Sequence, residues 1–138
     1  MAVFIPLEDP KASATAGAVI AEGLFVKYNT AGDKVEVCDG PDKHCAGVAA
    51  EAAAASGDGV RLYALDQYAR VRAGEALAAS NGIVDCRLTA SAAGKAVKAG
   101  NGQAILAMWM PKPGQTVAAE DFITVQLLQG GGKLVDDA

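Results

Sequence analysis

Catalytic side chains are scarce in this sequence. His44 is the single histidine among 138 residues, so the chain has one candidate imidazole base. No Gly-x-Ser-x-Gly elbow is present to hold a nucleophilic serine, which argues against a hydrolase triad. The nearest approaches to paired carboxylates are Asp39 with Asp42, Glu120-Asp121 and Asp136-Asp137, all in predicted turns or the tail. Solvated acidic residues are common there, so we predict a protein that is not an enzyme and uses no cofactor.

Nucleotide-binding loops are also missing. Gly131-Gly132-Lys133 is followed by Leu134, where a phosphate loop needs Ser or Thr. Gly57-Asp58-Gly59 and Gly100-Asn101-Gly102 lack the third glycine and the strand-turn-helix context of a dinucleotide fingerprint. These segments are interpreted as turns and a linker.

Cysteines are few and odd in number: Cys38, Cys45 and Cys86. The N-terminus lacks the basic segment of a secretory signal, so reduced thiols and no disulfide are expected. Cys38, His44 and Cys45 do not have the spacing of a zinc site, and no metal site is predicted. We interpret Cys38 and Cys86 as small buried residues on strands and His44 as an exposed turn residue.

Clustered positive charge and long apolar runs are both absent. The net charge is −4 and the Lys and Arg residues are scattered, which disfavours nucleic-acid binding. Charged residues or glycines interrupt the apolar stretches before they reach the length of about 20 residues that a membrane-spanning helix needs. We therefore expect a soluble protein with no membrane partner.

Aromatic residues make up only 5% of the chain, although hydrophobic residues make up 51%. The chain should fold, but its core must be built mainly from Val, Ile, Leu and Ala. Burial of a subunit interface is one way to add stability to such a core. Met108-Trp109-Met110 is the one conspicuous apolar cluster, and Pro111 and Pro113 follow it. Core packing and a subunit interface are both open interpretations of this cluster.

Short apolar runs alternate with turn residues at intervals of about ten, a pattern that favours a β-sandwich or barrel. Leu24 to Tyr28, the turn Asn29 to Asp33 and Val35 to Cys38 predict a hairpin. Further strands are expected at 46–49, 60–63, 68–72, 83–88, 104–109 and 122–128. The predicted fold class is mainly β, a single compact β-sandwich or barrel-like domain with at most one or two short helices.

Two Ala-rich stretches, Ala49 to Ala55 and Leu88 to Ala93, have high helix propensity, and either could form a short helix. A weak echo also recurs at Ala16-Gly17, Ala73-Gly74 and Ala93-Gly94. Because Ala and Gly are abundant, we interpret these recurring Ala-Gly pairs as turns between short strands and not as a solenoid repeat.

The two ends differ in composition from the middle. Residues 1–15 are predicted to form an extended N-terminal arm, because Pro6 and Pro10 restrict the backbone and Val3, Phe4, Ile5 and Leu7 are apolar without an evident core to enter. Residues 16–129 form the predicted β-rich domain. Residues 130–138 begin with three glycines and are predicted to be a flexible C-terminal tail.

The order of these elements resembles the capsid decoration, or cement, proteins of tailed bacteriophages. The resemblance spans residues 14–128. It consists of Gly, Ala and Val residues that recur at turns and short strands, and it contains no catalytic signature. Its parts are Ala16-Gly17-Ala18-Val19-Ile20 with Gly23 and Val26, Ala46-Gly47-Val48-Ala49, Gly57-Asp58-Gly59-Val60, Ala73-Gly74, Gly82, Gly94-Lys95-Ala96-Val97, Gly102-Gln103-Ala104-Ile105 and Ile123-Thr124-Val125-Gln126-Leu127.

The resemblance implies a homotrimer on the outer surface of a virion, made in the cytoplasm of the bacterial host and bound to the major capsid protein. Within that expectation the capsid-binding arm is Val3, Phe4, Ile5, Pro6 and Leu7, and the trimer interface includes Met108, Trp109 and Met110. Two alternatives stay open: a trimeric spike, fibre-base or baseplate module of a virion, and a small β-barrel ligand-binding module or enzyme with a ligand near Trp109 or His44.

Overall fold

Strands account for nearly all the regular structure that the computed structural model describes, which covers residues 9–40, 45–79, 86–100 and 102–128. Within these ranges there is no α-helix, and no helix there could span a membrane. The prediction of a mainly β fold is confirmed, although no sheet closes fully into a barrel. The strands are β1 (Ala12–Thr15), β2 (Phe25–Tyr28), β3 (Val35–Val37), β4 (Gly47–Ala49), β5 (Gly59–Tyr63), β6 (Tyr68–Arg72), β7 (Leu77–Ala78), β8 (Arg87–Ala90), β9 (Ala96–Lys98), β10 (Ala107–Trp109), β11 (Thr116–Val117) and β12 (Phe122–Leu127).

The chain contains the same arrangement of strands twice. One antiparallel sheet has the order β1-β5-β4-β2-β3 and the other has β6-β12-β10-β8-β9. Each sheet curls until its edge strands approach at one parallel bridge, Ala16 to Val35 in the first and Ala73 to Ala96 in the second. The bridge from Ile20 to Ala53 has its counterpart in the pair β7-β11. We therefore divide the body into a first repeat, residues 12–63, and a second repeat, residues 68–127.

The predicted hairpin is confirmed as β2 and β3. These strands pair antiparallel, with Tyr28 opposite Val35. The Asn29 side-chain oxygen closes the turn by accepting hydrogen bonds from the N–H groups of Gly32 at 2.8 Å and Asp33 at 3.2 Å. Gly32 has φ +77°, a conformation that glycine adopts at little cost. The turn chemistry of the sequence thus sets the register of this hairpin.

Sheet pairing overrides helix propensity in the two Ala-rich stretches. Ala49 ends β4, and Ala53 exchanges backbone hydrogen bonds of 2.8 and 3.0 Å with Ile20. Leu88 to Ala90 belong to β8. Helix propensity is a weak preference, so pairing with neighbouring strands decides the conformation here.

The first sheet is buried on its inner face and, around β2 and β4, on its outer face as well, whereas the outer face of β1 and most of β5 is exposed. Its inner face forms a small core of its own, whereas its outer face joins the core of the second repeat. The alternation is visible in β2, where Val26 enters the first core and Phe25 enters the second. The inner set is Ala16, Ile20, Val26, Val35, Ala49, Ala53, Val60 and Leu62, and the outer set is Phe25, Cys38, Cys45, Val48 and Tyr63.

The predicted arm begins outside the described residues, which exclude 1–8, and the predicted tail, residues 130–138, lies wholly outside them. Residues 12–15 form β1, which pairs with β5 at the edge of the first sheet. The boundary drawn at residue 15 stays a prediction.

Candidate assembly surfaces

The two repeats meet where a turn of the second repeat packs against the outer face of the first. The Phe25 N–H donates a hydrogen bond of 2.8 Å to the Gly94 carbonyl. Gly94 has φ +78°, and a Cβ atom added there would lie 2.5 Å from Val37 Cγ1. Only glycine therefore allows this approach, and we call the contact the inter-repeat interface.

The apolar part of the inter-repeat interface includes two thiols. Cys45 donates from Sγ to the Gly47 carbonyl at 3.3 Å, and Cys38 is fully buried nearby. Burial raises the pKa of Cys45 to about 12, with a smaller contribution from Cys38. At neutral pH the Cys45 thiol is protonated, so it acts as a small apolar residue and not as a nucleophile or metal ligand.

A second contact joins the loop at Gly23 to the end of β6. The Arg72 N–H donates to the Gly23 carbonyl at 2.8 Å, and a Cβ on Gly23 would lie 2.5 Å from Phe122 Cε1. The guanidinium groups of Arg70 and Arg72 stand 4.8 and 4.6 Å from the centre of the Phe122 ring. These cation–π contacts hold the ring where it meets the first repeat.

One open groove lies at the edge of the first repeat, with a volume of about 540 Å³. Its floor is formed by β1 and β5, in which the exposed Ser13 and Thr15 face Arg61 and Gly59. Arg61 is paired with Glu51 at 3.4 Å. The residues around this edge groove are Ser13, Ala14, Thr15, Glu51, Gly59, Val60 and Arg61.

A separate apolar cluster lies on the outer side of the second sheet. Ala99 and Ile105 are buried, and the half-buried Met108 and Leu128 pack against them. This outer cluster does not belong to either core. Its half-buried members, Met108 and Leu128, make it a candidate surface for a partner, because apolar side chains that stay partly exposed outside the core mark contact sites.

The three residues predicted at a trimer interface point in different directions. Trp109 is 3% exposed and belongs to the core of the second repeat, which supports the core-packing interpretation for this residue. Met108 lies in the outer cluster, and Met110 is 36% exposed. The interface prediction therefore stays open for Met108 and Met110.

Other sequence-predicted positions contribute less. Val3, Phe4, Ile5, Pro6, Leu7 and His44 lie outside the described residues. Cys38, Cys45 and Cys86, all among the described residues, form no disulfide. In the part of the chain that the structure describes, no group of three His, Cys, Asp or Glu side chains could hold a metal ion.

Sequence reasoning missed Gln67, which is 4% exposed and joins the start of β1 to the connection between the repeats. A lone glutamine carries no recognisable signature. The alternation of apolar and polar residues in Tyr68–Arg72 predicted a strand directly after Gln67. It did not indicate the long-range hydrogen bonds of the Gln67 side chain.

Comparison with solved structures, unlike comparison by sequence, finds a similar protein. No family model matches the chain, and no curated protein matches it by sequence. The N base of the head fibre gp8.5 of bacteriophage phi29 superposes with a TM-score of 0.58 at 19% identity. The alignment covers 91% of this chain and 97% of the phage chain, so the likeness shows a shared fold over almost the whole molecule.

Proposed function

We propose that this chain is a structural protein of a bacteriophage virion that binds the outer surface of the head as a homotrimer and cements neighbouring major capsid subunits. The observation that carries the proposal is the fold shared with the phi29 head-fibre base over 91% of the chain. The Gly, Ala and Val pattern of residues 14–128 supports it independently. No catalytic residue, cofactor, nucleic acid or membrane is part of the proposal.

The apolar arm is the proposed anchor on the capsid. Gln67 holds the main chain at Asp9 and Lys11, so residues 1–8 start from a fixed point on the folded body. An extended arm can add to a sheet edge of the major capsid protein, with main-chain hydrogen bonds for affinity and a pocket for Phe4. Ordering a chain costs about 1–2 kcal/mol per residue, so one arm binds weakly and three arms on one trimer bind durably.

The test is co-sedimentation with mature capsids that lack their decoration. Deletion of residues 2–7 keeps the hydrogen bond to Asp9, so the trimer and its melting temperature should be unchanged while capsid binding is lost. The double variant Phe4→Ser, Ile5→Ser should weaken binding similarly, and Glu8→Gln serves as the matched control. A truncated trimer that saturates capsids at the full-length concentration would show that docking runs through the folded body.

A fibre base is the second candidate function, and the named structural match favours it directly. The two roles differ in where the trimers sit. A cryo-EM reconstruction that shows trimers repeated between capsomers supports the cement role, whereas trimers that carry a projecting fibre support the base role.

A further inference from the structure

The contact between the two repeats is head to tail. The turn around Gly94 in the second repeat touches Val37 and the main chain of Phe25 and Cys38, at the border of the outer face of the first repeat. In the corresponding turn of the first repeat, no atom of the described residues lies within 4 Å of the position of a Cβ on Gly32. Each repeat thus has one turn of this kind and one outer face, and among the described residues a single pair of such a turn with such a face is in contact.

The two turns correspond closely. Gly32 and Gly94 have φ +77° and +78°. The Gly32 N–H donates to the Asn29 carbonyl and the Gly94 N–H donates to the Ser91 carbonyl, both at 3.0 Å. The same main-chain shape is therefore presented twice, once against the first repeat and once to solvent.

The two outer faces correspond as well. The Cys38 N–H donates to the Phe25 carbonyl at 2.8 Å, and the Ala99 N–H donates to the Arg87 carbonyl at 2.9 Å. The equivalence of β4 with β10 then aligns Val48 with Met108. Hence the outer cluster of the second repeat, which contains Ala99, Ile105 and Met108, is the counterpart of the buried face around Cys38, Cys45 and Val48.

The edge groove has a counterpart at the end of β6. Ala16 and Ala73 donate to the carbonyls of Asp58 and Asp121, both at 2.8 Å, and this aligns Thr15 with Arg72. In the second repeat this position receives the Gly23 loop. In the first repeat the register turns the Thr15 N–H away from β5, and the position is the open edge groove.

Tyr28 is another residue that is exposed in one repeat while its counterpart in the other repeat is buried. Tyr28 is 59% exposed at the end of β2, next to the turn around Gly32. Its counterpart at the end of β8 is Ala90, which is 1% exposed within the core that includes the inter-repeat interface. A large apolar side chain therefore stands in solvent at a position that is buried in the other repeat.

We propose that a second copy of this chain binds here, with the Tyr28–Gly32 hairpin tip of one copy against Met108 and Leu128, the half-buried side of the outer cluster, in the next copy. The first repeat of each copy then meets the second repeat of another as the two repeats meet within one chain. Such a contact is heterologous, and three copies close a ring of six repeats. The number three rests on the proposed function, whereas the contact itself does not.

The test uses two variants of the full chain, each with one side of the contact damaged. Met108→Glu places a charge in the outer cluster, and Tyr28→Lys places one on the hairpin tip. Each variant alone should be monomeric, with an apparent dissociation constant raised about a hundredfold or more. Val19→Lys is the matched control, since Val19 is 67% exposed and lies in neither surface.

Mixing the variants tests the head-to-tail geometry. A one-to-one mixture of Met108→Glu and Tyr28→Lys retains one intact tip and one intact face, so native mass spectrometry should show heterodimers. A mixture that stays monomeric would overturn the proposal. Circular dichroism checks folding, and if Met108→Glu does not fold, Tyr28→Lys alone decides between a trimer and a monomer.

The remaining outcomes separate this contact from the proposed function. Wild-type protein that is monomeric, or that stays trimeric with either substitution, overturns the contact. Wild-type trimers that both substitutions dissociate, but that do not bind capsids, leave the contact standing and overturn the cement role.

Discussion

Gln67 is joined to Asp9 by a hydrogen bond of 2.7 Å, in which the side-chain amide donates to the main-chain carbonyl. The Gln67 oxygen also accepts from the N–H groups of Ala64 at 2.8 Å and Lys11 at 3.1 Å. One buried side chain thus fixes the beginning of the body to the connection between the repeats.

We expect Gln67→Ala to lower the free energy of unfolding by about 2–3 kcal/mol, because it removes hydrogen bonds from main-chain groups that stay partly buried. It should also speed trypsin cleavage after Lys11. Urea unfolding and timed proteolysis measure the two effects. The control is Gln115→Ala, which removes an exposed turn bond to the Lys112 N–H and should cost under about 0.5 kcal/mol. Equal losses in both variants would contradict the assigned role of Gln67.

Gly94→Ala should destabilise the protein more than Gly32→Ala does. Both substitutions place alanine at a positive φ, which costs about 1–2 kcal/mol. Only at Gly94 does the new methyl group meet Val37, and this overlap adds about 1–3 kcal/mol. The comparison is made by chemical unfolding in the Met108→Glu background, where the Gly32 turn is not docked. If the two variants lose the same free energy of unfolding, the inter-repeat interface accommodates the added methyl group without cost, which would contradict the assigned close contact.

Stability should decrease at alkaline pH because of Cys45. Its pKa is raised from 9.0 to about 12 in the folded protein, so above pH 9 the unfolded chain releases a proton that the folded chain retains. The contribution is complete below pH 9 and is lost as the pH rises towards 12, at about 1.4 kcal/mol per unit. In urea unfolding with reductant, the loss between pH 7 and 10.5 should be about 2 kcal/mol smaller in Cys45→Val than in the wild type.

Thr89→Val should stabilise the protein. Thr89 is fully buried in β8, and its hydroxyl has no hydrogen-bond partner among the described residues. Replacing the hydroxyl with a methyl group of similar size removes the cost of burying it, about 1–2 kcal/mol. Thermal unfolding measures the gain, and Thr89→Ser, which keeps the hydroxyl and loses the methyl, should lower stability. A loss in both variants would indicate that the hydroxyl is satisfied in solution.

Local patterns predicted the strands well where alternation and turn chemistry agree. Tyr68–Arg72 and the hairpin from Phe25 to Val37 follow directly from the order of apolar and polar residues and from Asn29. The Ala-rich stretch after Gly47 could not be resolved in this way, because its conformation depends on Ile20, which is distant in sequence.

Only the recurring Ala-Gly pairs in the sequence indicate that the arrangement of strands is duplicated. Ala16-Gly17 and Ala73-Gly74 occupy equivalent bridges, whereas Ala93-Gly94 belongs to a turn. Side-chain volumes differ at matched positions, as at Ala49 and Trp109, so the cores are filled differently and the sequences show little likeness. The candidate surfaces could not be predicted for the same reason: each is defined by what its counterpart in the other repeat contacts.

The curled edges of the two sheets also have a bearing on aggregation. An open edge strand offers unpaired N–H and C=O groups to any other strand, and this danger grows when many copies are concentrated on one particle. Here the edge strands are short and approach their partners at Ala16–Val35 and Ala73–Ala96, which leaves little continuous edge for a foreign strand. Crowded copies can therefore meet through shaped surfaces without growing into an indefinite sheet.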